Sequence, residues 1–113
     1  MFLGYKRLMA ATTTVRMVKL SGDLDVEMLP RATKLLRALD DADVAVIDMR
    51  SVTYLDSAAL GMLMSARQRV FARGGEMRIV SADPRLKRLL TVTGIDKSVM
   101  VYEKLQDALD APR

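Results

Sequence analysis

The chain has 113 residues, enough for one domain that buries roughly 65% of its unfolded-chain surface without disulfide or metal staples. It contains no Cys and no His, which removes disulfides, thiolate nucleophiles, Ser-His-Asp and Cys-His hydrolases and the usual transition-metal centres. Catalysis would have to rest on carboxylates, Lys or hydroxyls alone, so a non-enzymatic domain is expected, with no cofactor and no metal. The 18 Lys+Arg against 14 Asp+Glu leave a formal charge of +4 scattered along the chain, and three Tyr with two Phe offer few stacking surfaces, so no direct nucleic-acid interface is expected.

The first eleven residues carry Lys6 and Arg7 in the middle of their apolar stretch and lack the h-region of a signal peptide. No other segment approaches the ~18 apolar residues of a membrane span, and a cytoplasmic, soluble domain is expected. Val15 to Leu20 alternates apolar and basic residues, which predicts a strand with one face less protected, broken by Ser21, Gly22 and Asp23. Asp25 then suits an N-cap, with a helix starting near Val26 or Glu27 and Pro30 in its first turn; Leu29, Ala32, Leu35, Leu36 and Leu39 form its apolar stripe. Asp43 to Met49 is a nearly continuous apolar run, as in a strand covered on both faces of a parallel sheet.

From Ser57 the pattern is helical, with Ala59, Leu60, Leu63, Ala66, Val70 and Phe71 on one side and Gly74-Gly75 at the end. Glu76 to Val80 is a further strand. Asp83-Pro84 is an N-cap followed by Pro at the first helical position, and Leu86, Leu89 and Leu90 supply the buried stripe before Gly94. Val99 to Tyr102 predicts a last strand and Leu105 to Leu109 a last helix, with 111–113 fraying. Strand and helix alternate four times, so the class is α/β with right-handed crossovers between mostly parallel strands.

The segment from Tyr54 to Gly61, YLDSAALG, places Asp56 and Ser57 where a buried strand ends and an amphipathic helix begins. The first N–H groups of a helix lack intrahelical acceptors and the macrodipole is positive there, so a phosphate on Ser57 is compatible with the fold. The simpler reading of an Asp or Ser at that place is a cap. Asp23 and Asp25 are likewise a turn residue and a cap on local grounds. Ser51 and Thr53 read as turn hydroxyls or as second phosphosites. The nine Met read as core filler, with one of Met62 and Met64 exposed, and Arg67, Arg69 and Arg73 as a solvated face or a basic patch.

The order and spacing of LSGDLD (Leu20 to Asp25), VID (Val46 to Asp48), VTYLDSAALG (Val52 to Gly61), RGG (Arg73 to Gly75) and LTVTGI (Leu90 to Ile95) resemble the STAS domain, specifically the bacterial anti-sigma factor antagonists. The resemblance covers residues 15–110; residues 1–14 are an N-terminal segment that supplies a first strand or is loose. It implies a mixed, mostly parallel sheet of four to five strands with about four helices. It also implies a serine at the helix start, here Ser57, that a kinase-type anti-sigma factor phosphorylates and a serine phosphatase restores. The implied partner surface is Gly22, Asp23, Asp25, Tyr54, Asp56, Ser57, Ala58 and Ala59, on a monomer or weak dimer.

Ala59 stands where the family often has Gly, which favours the helix but puts a methyl where a partner approaches. Unmodified, the chain would hold the anti-sigma factor; phosphorylated, it would release it. The alternative within the same family is an accessory subunit docked constitutively on a membrane transporter or signalling assembly. A nucleotide-binding enzyme is disfavoured, since the chain has no Gly-x-x-x-x-Gly-Lys-Ser/Thr loop.

Overall fold

The computed structural model describes the backbone of residues 5–9 and all of residues 13–113. Its sheet runs β1 (Tyr5–Met9), β2 (Thr13–Leu24), β3 (Val44–Leu55), β4 (Glu76–Val80) and β5 (Met100–Tyr102) in chain order from edge to edge. β1 is antiparallel to β2, and the other neighbours are parallel. Helices α1 (Leu29–Arg37), α2 (Ser57–Ala72) and α3 (Pro84–Thr93), the last followed by a 3-10 turn (Ile95–Lys97), make the three crossovers. Right-handed crossovers that all step the same way across a sheet land on the same face. One large core accordingly joins Ala32 and Leu36 of α1, Leu63 and Ala66 of α2, and Leu86 and Leu90 of α3 to Val18, Ile47 and Ile79 of the strands. The short α4 (Leu105–Asp110) follows the last strand and closes a smaller cluster on the other face, over Val15, Met17, Val44, Val46 and Val80.

The fold is the α/β arrangement expected, with five strands and four α-helices among the described residues. The first strand falls on Tyr5–Met9; Phe2 to Gly4 lie outside the described residues. Four local expectations are corrected. β2 does not present a poorly protected face at Val15 to Leu20: Val15, Met17, Val18 and Leu20 are all buried, the first two under α4. Nor does β2 break at Gly22. It continues to Leu24 because Gly22 takes a φ of 76° and the register shifts twice along the β2–β3 pair, so the strands bend together instead of parting. Ser51 and Thr53, expected in a turn, therefore lie on β3. α1 starts at Leu29, after a turn that Asp25 caps by accepting from the N–H groups of Glu27 and Met28 at 3.1 and 3.3 Å.

The C-terminal tail, expected to fray, is pinned. Arg78, fully buried on β4, forms an ion pair with Glu76 at 2.7 Å and donates to the carbonyls of Ala108 at 2.7 Å and Pro112 at 3.3 Å. The tail's Arg113 reaches the carbonyl of Gly74 and lies 3.9 Å from the carboxylate of Asp43. A buried guanidinium is tolerated only when its donors are matched in this way.

Candidate functional site

The carboxyl ends of β2 and β3 meet at one end of the sheet. Leu24 pairs with Leu55, Asp23 stands opposite Tyr54, and the Asp56 N–H donates to the Leu24 carbonyl at 3.3 Å. This brings Gly22 to Asp25 against Tyr54 to Ser57, two segments about thirty residues apart in the chain. Gly22 is opposite Val52 while Asp23 is opposite Tyr54, so Thr53 is an extra residue in the pairing. Such a bulge re-aims its side chain, and the Thr53 hydroxyl donates to the Asp23 carboxylate at 2.7 Å.

Asp56 is the N-cap of α2, extended at φ −95° and ψ 178°, and its carboxylate accepts from the Ala59 N–H at 2.9 Å. The Leu60 N–H goes to the Asp56 carbonyl at 3.1 Å. The N–H groups of Ser57 and Ala58 thus remain as the helix's outward donors, beside the Ser57 side chain. Ser57 is exposed, and its hydroxyl makes no hydrogen bond to another described residue, in contrast to that of Thr53. It has no imidazole or thiol near it, as the chain has neither, and no described group of His, Cys, Asp or Glu could hold a metal. The arrangement presents an exposed hydroxyl next to the Asp56 carboxylate, one oxygen of which holds the helix cap.

Around it lie the exposed Ala58, the Asp23 and Asp25 carboxylates and Tyr54, 55% exposed. Gly22, Asp23, Asp25, Tyr54, Asp56, Ser57 and Ala58 share this end of the sheet. Ala59 does not belong with them. Its methyl is fully buried in the large core, so it offers a partner no side-chain contact, and the expectation of a methyl in the partner's path is corrected.

Two features here were not anticipated from sequence. Val26, 65% exposed, follows the Asp25 turn as an apolar residue outside any buried stripe. A cavity of about 180 Å³ opens between Val52 to Leu55 of β3 and Leu86 and Leu89 of α3, with Asp83 and Arg85 also lining it. That volume is below the roughly 300 Å³ at which drug-sized ligand pockets begin and suits a single side chain.

Elsewhere, Met62 is buried and Met64 is 40% exposed. Arg69 pairs with Asp40 at 2.9 Å, and Arg67 lies 5.2 Å from the Phe71 ring centroid and donates to Ser98. Of Arg67, Arg69 and Arg73, Arg69 is thus matched by an opposite charge and Arg67 by a ring and a hydroxyl. Asp48 is buried on β3 and held by Arg50 through two guanidinium bonds at 2.8 and 2.9 Å and its N–H at 3.1 Å. Burial pushes the Asp48 carboxyl up, but the Arg50 bonds and charge outweigh it, and the group titrates below the usual carboxylate range. No described helix is long and apolar enough to cross a membrane.

Comparison with known proteins supplies the context. The chain is 28% identical over 102 residues, 84% of each protein, to the anti-sigma F factor antagonist of Paenibacillus polymyxa. Its structure is similar to the crystal structure of an anti-sigma factor antagonist from Mycobacterium paratuberculosis, with a TM-score of 0.79, 26% identity and coverage of 98% and 93% of the two chains. It also shares its fold with a sulfate transporter family protein from Wolinella succinogenes, at a TM-score of 0.73, 19% identity and coverage of 84% and 81%. The family model described as the STAS domain matches residues 7–108, and the chain belongs to the STAS domain family.

Proposed function

We propose that this chain is a non-enzymatic anti-sigma factor antagonist. It holds a kinase-type anti-sigma factor while Ser57 is unmodified and releases it once Ser57 is phosphorylated. The observation that carries this reading is the geometry of Ser57: an exposed hydroxyl with no hydrogen bond to another described residue, at the start of a sixteen-residue helix, beside its own N–H and that of Ala58, with Asp56 holding the cap. The antagonist names of its relatives support the role.

The energetics suit a switch. A phosphate adds roughly −1.5 to −2 charges, and in the free protein the helix N-terminus and water accommodate it. Against a docked partner the same group must shed water beside the carboxylates of Asp56 and Asp23. A surface that receives these carboxylates is basic and shaped around a neutral hydroxyl. A hundredfold loss of affinity needs about 2.8 kcal/mol, which one poorly paired buried charge supplies. The partner brings nucleotide and magnesium; a serine phosphatase resets the switch.

The test incubates the chain with each ATPase-type anti-sigma factor of the source genome and ATP. The expected result is a phosphate-sized mass shift that Ser57→Ala abolishes, with Ser57→Asp binding at least a hundredfold more weakly than Ser57→Ala. Equal binding by the two variants overturns the switch, and binding by neither points to constitutive docking elsewhere.

A further inference from the structure

The described glycines have visible reasons, with one exception. Gly22, Gly74 and Gly94 have φ of 76°, 80° and 79°, where a side chain is strained, and a Cβ on Gly75 would lie 2.8 Å from the Ala42 carbonyl oxygen and from Val70 Cγ1. Gly61 has neither constraint. It is helical, exposed, five residues into α2, and a Cβ added there meets nothing within 4 Å. A glycine in a helix interior lowers the folding equilibrium constant about fivefold relative to alanine. The fold carries this cost and gains no packing from it.

Its location suggests the use. Gly61 follows Ser57 by four residues, so the two share one face of α2 a turn apart. Ala58 is exposed on the same side, and Met64, three residues beyond Gly61, is 40% exposed. The helix surface leading away from the hydroxyl is therefore low, and ends at a flexible apolar side chain suited to an adaptable contact.

We propose that Gly61 is a specificity-determining contact for the anti-sigma factor: the partner lays a segment directly on the bare α2 backbone at Gly61, between Ser57 and Met64. The missing Cβ lets the partner's chain approach within van der Waals distance and so sets how closely its kinase centre sits to the Ser57 hydroxyl. This deepens, and rests on, the partner reading above. The docked surface combines the Asp23, Asp25 and Asp56 carboxylates with an apolar strip at Gly61 and Met64, which calls for a basic partner surface carrying a small-residue or apolar ridge.

Gly61→Ala separates folding from docking because the two respond in opposite directions. The variant is expected to fold with an equilibrium constant about fivefold higher and to melt roughly 4 °C higher. It is expected to bind the anti-sigma factor that captures the wild type at least tenfold more weakly, as overpacking a close contact does. Gly61→Leu, whose Cβ likewise meets nothing within 4 Å in the free protein, should bind more weakly still. Phosphorylation of Ser57 at saturating partner should slow as well.

Undiminished binding by both variants, with Ser57→Asp still failing to bind, overturns the Gly61 contact and leaves the switch intact. Wild-type chain that binds no anti-sigma factor, or Ser57→Asp that binds like wild type, overturns the partner reading instead. A lowered melting temperature for Gly61→Ala shows that the glycine serves the fold and also overturns the proposal.

Discussion

Asp56 stands beside the Ser57 hydroxyl and can act in two ways: by holding the helix start or by supplying negative charge. The structure separates these, because its carboxylate is bound to the Ala59 N–H at 2.9 Å. Replacing a capping Asp by Ala costs about 1 kcal/mol, whereas Asn caps as well as Asp. At the usual unfolding entropy per residue, 1 kcal/mol corresponds to roughly 4 °C in melting temperature for a chain of this length. Asp56→Ala is thus expected to melt about 4 °C lower and Asp56→Asn within about 1 °C of wild type.

The same ordering should appear in phosphoryl acceptance. With the cap intact in Asp56→Asn, the first turn holds Ser57 where it is, and the initial rate of its phosphorylation by the partner should stay within about twofold of wild type. Asp56→Ala, whose first turn frays in proportion to the lost cap, should fall about fivefold, the factor that 1 kcal/mol represents. Thermal denaturation followed by circular dichroism gives the first quantity and a single-turnover mass assay the second. If Asp56→Asn melts like wild type yet loses as much phosphorylation as Asp56→Ala, the carboxylate acts through its charge and the capping argument is wrong.

Three further outcomes can be measured. Thr53→Val removes the hydroxyl that links β3 to Asp23 at 2.7 Å; it should cost about 1 kcal/mol or less at this exposed place and speed amide exchange at residues 22–25, while Thr53→Ser should restore protection. Arg78→Met leaves the Ala108 and Pro112 carbonyls without their donor, so it should destabilise the domain by about 3 kcal/mol in urea and open the C-terminal segment to carboxypeptidase before global unfolding. Asp48 is held below the usual carboxylate range by Arg50 once the opposing effect of burial is overcome. Its contribution to stability is therefore complete above the unfolded-state value of about 3.9 and disappears as pH falls through the lower folded-state value. Asp48→Asn should be less stable than wild type at pH 6 and should lack that part of the acid slope in urea titrations.

Sequence reading succeeded where the signal was local. Asp83-Pro84 starts α3 and Gly94 ends it because capping and fixed φ act within a turn, and the carboxylate of Asp83 indeed accepts from the Arg85 N–H at 2.9 Å. The Asp56-Ser57 junction was legible for the same reason. Gly22 misled because a glycine that ends one strand and a glycine that bends one look alike until the partner strand is known; here β3 supplies the extra residues. Asp48 and Arg78 interrupt apolar strands, and each meets an opposite charge two residues away on the same face, Arg50 and Glu76. Arg78 meets backbone carbonyls some thirty residues later, a pairing no periodicity encodes. Ala59 has two readings in the sequence, one on the apolar stripe of α2 by its spacing and one on the partner surface by analogy with a family glycine, and the buried methyl agrees with the first.

The pinned C-terminus has a practical consequence for experiments on this protein. Arg113 sits beside Asp43 and Gly74, which precede β3 and β4, whereas Ser57 follows the far end of β3. Twelve residues of a strand bent by two bulges separate those ends. A biotin or sensor-chip linker attached after Arg113 therefore emerges at the opposite end of β3 from the Ser57 hydroxyl. An immobilised chain keeps that hydroxyl facing solution, so binding rates measured in such a format report docking free of the anchor.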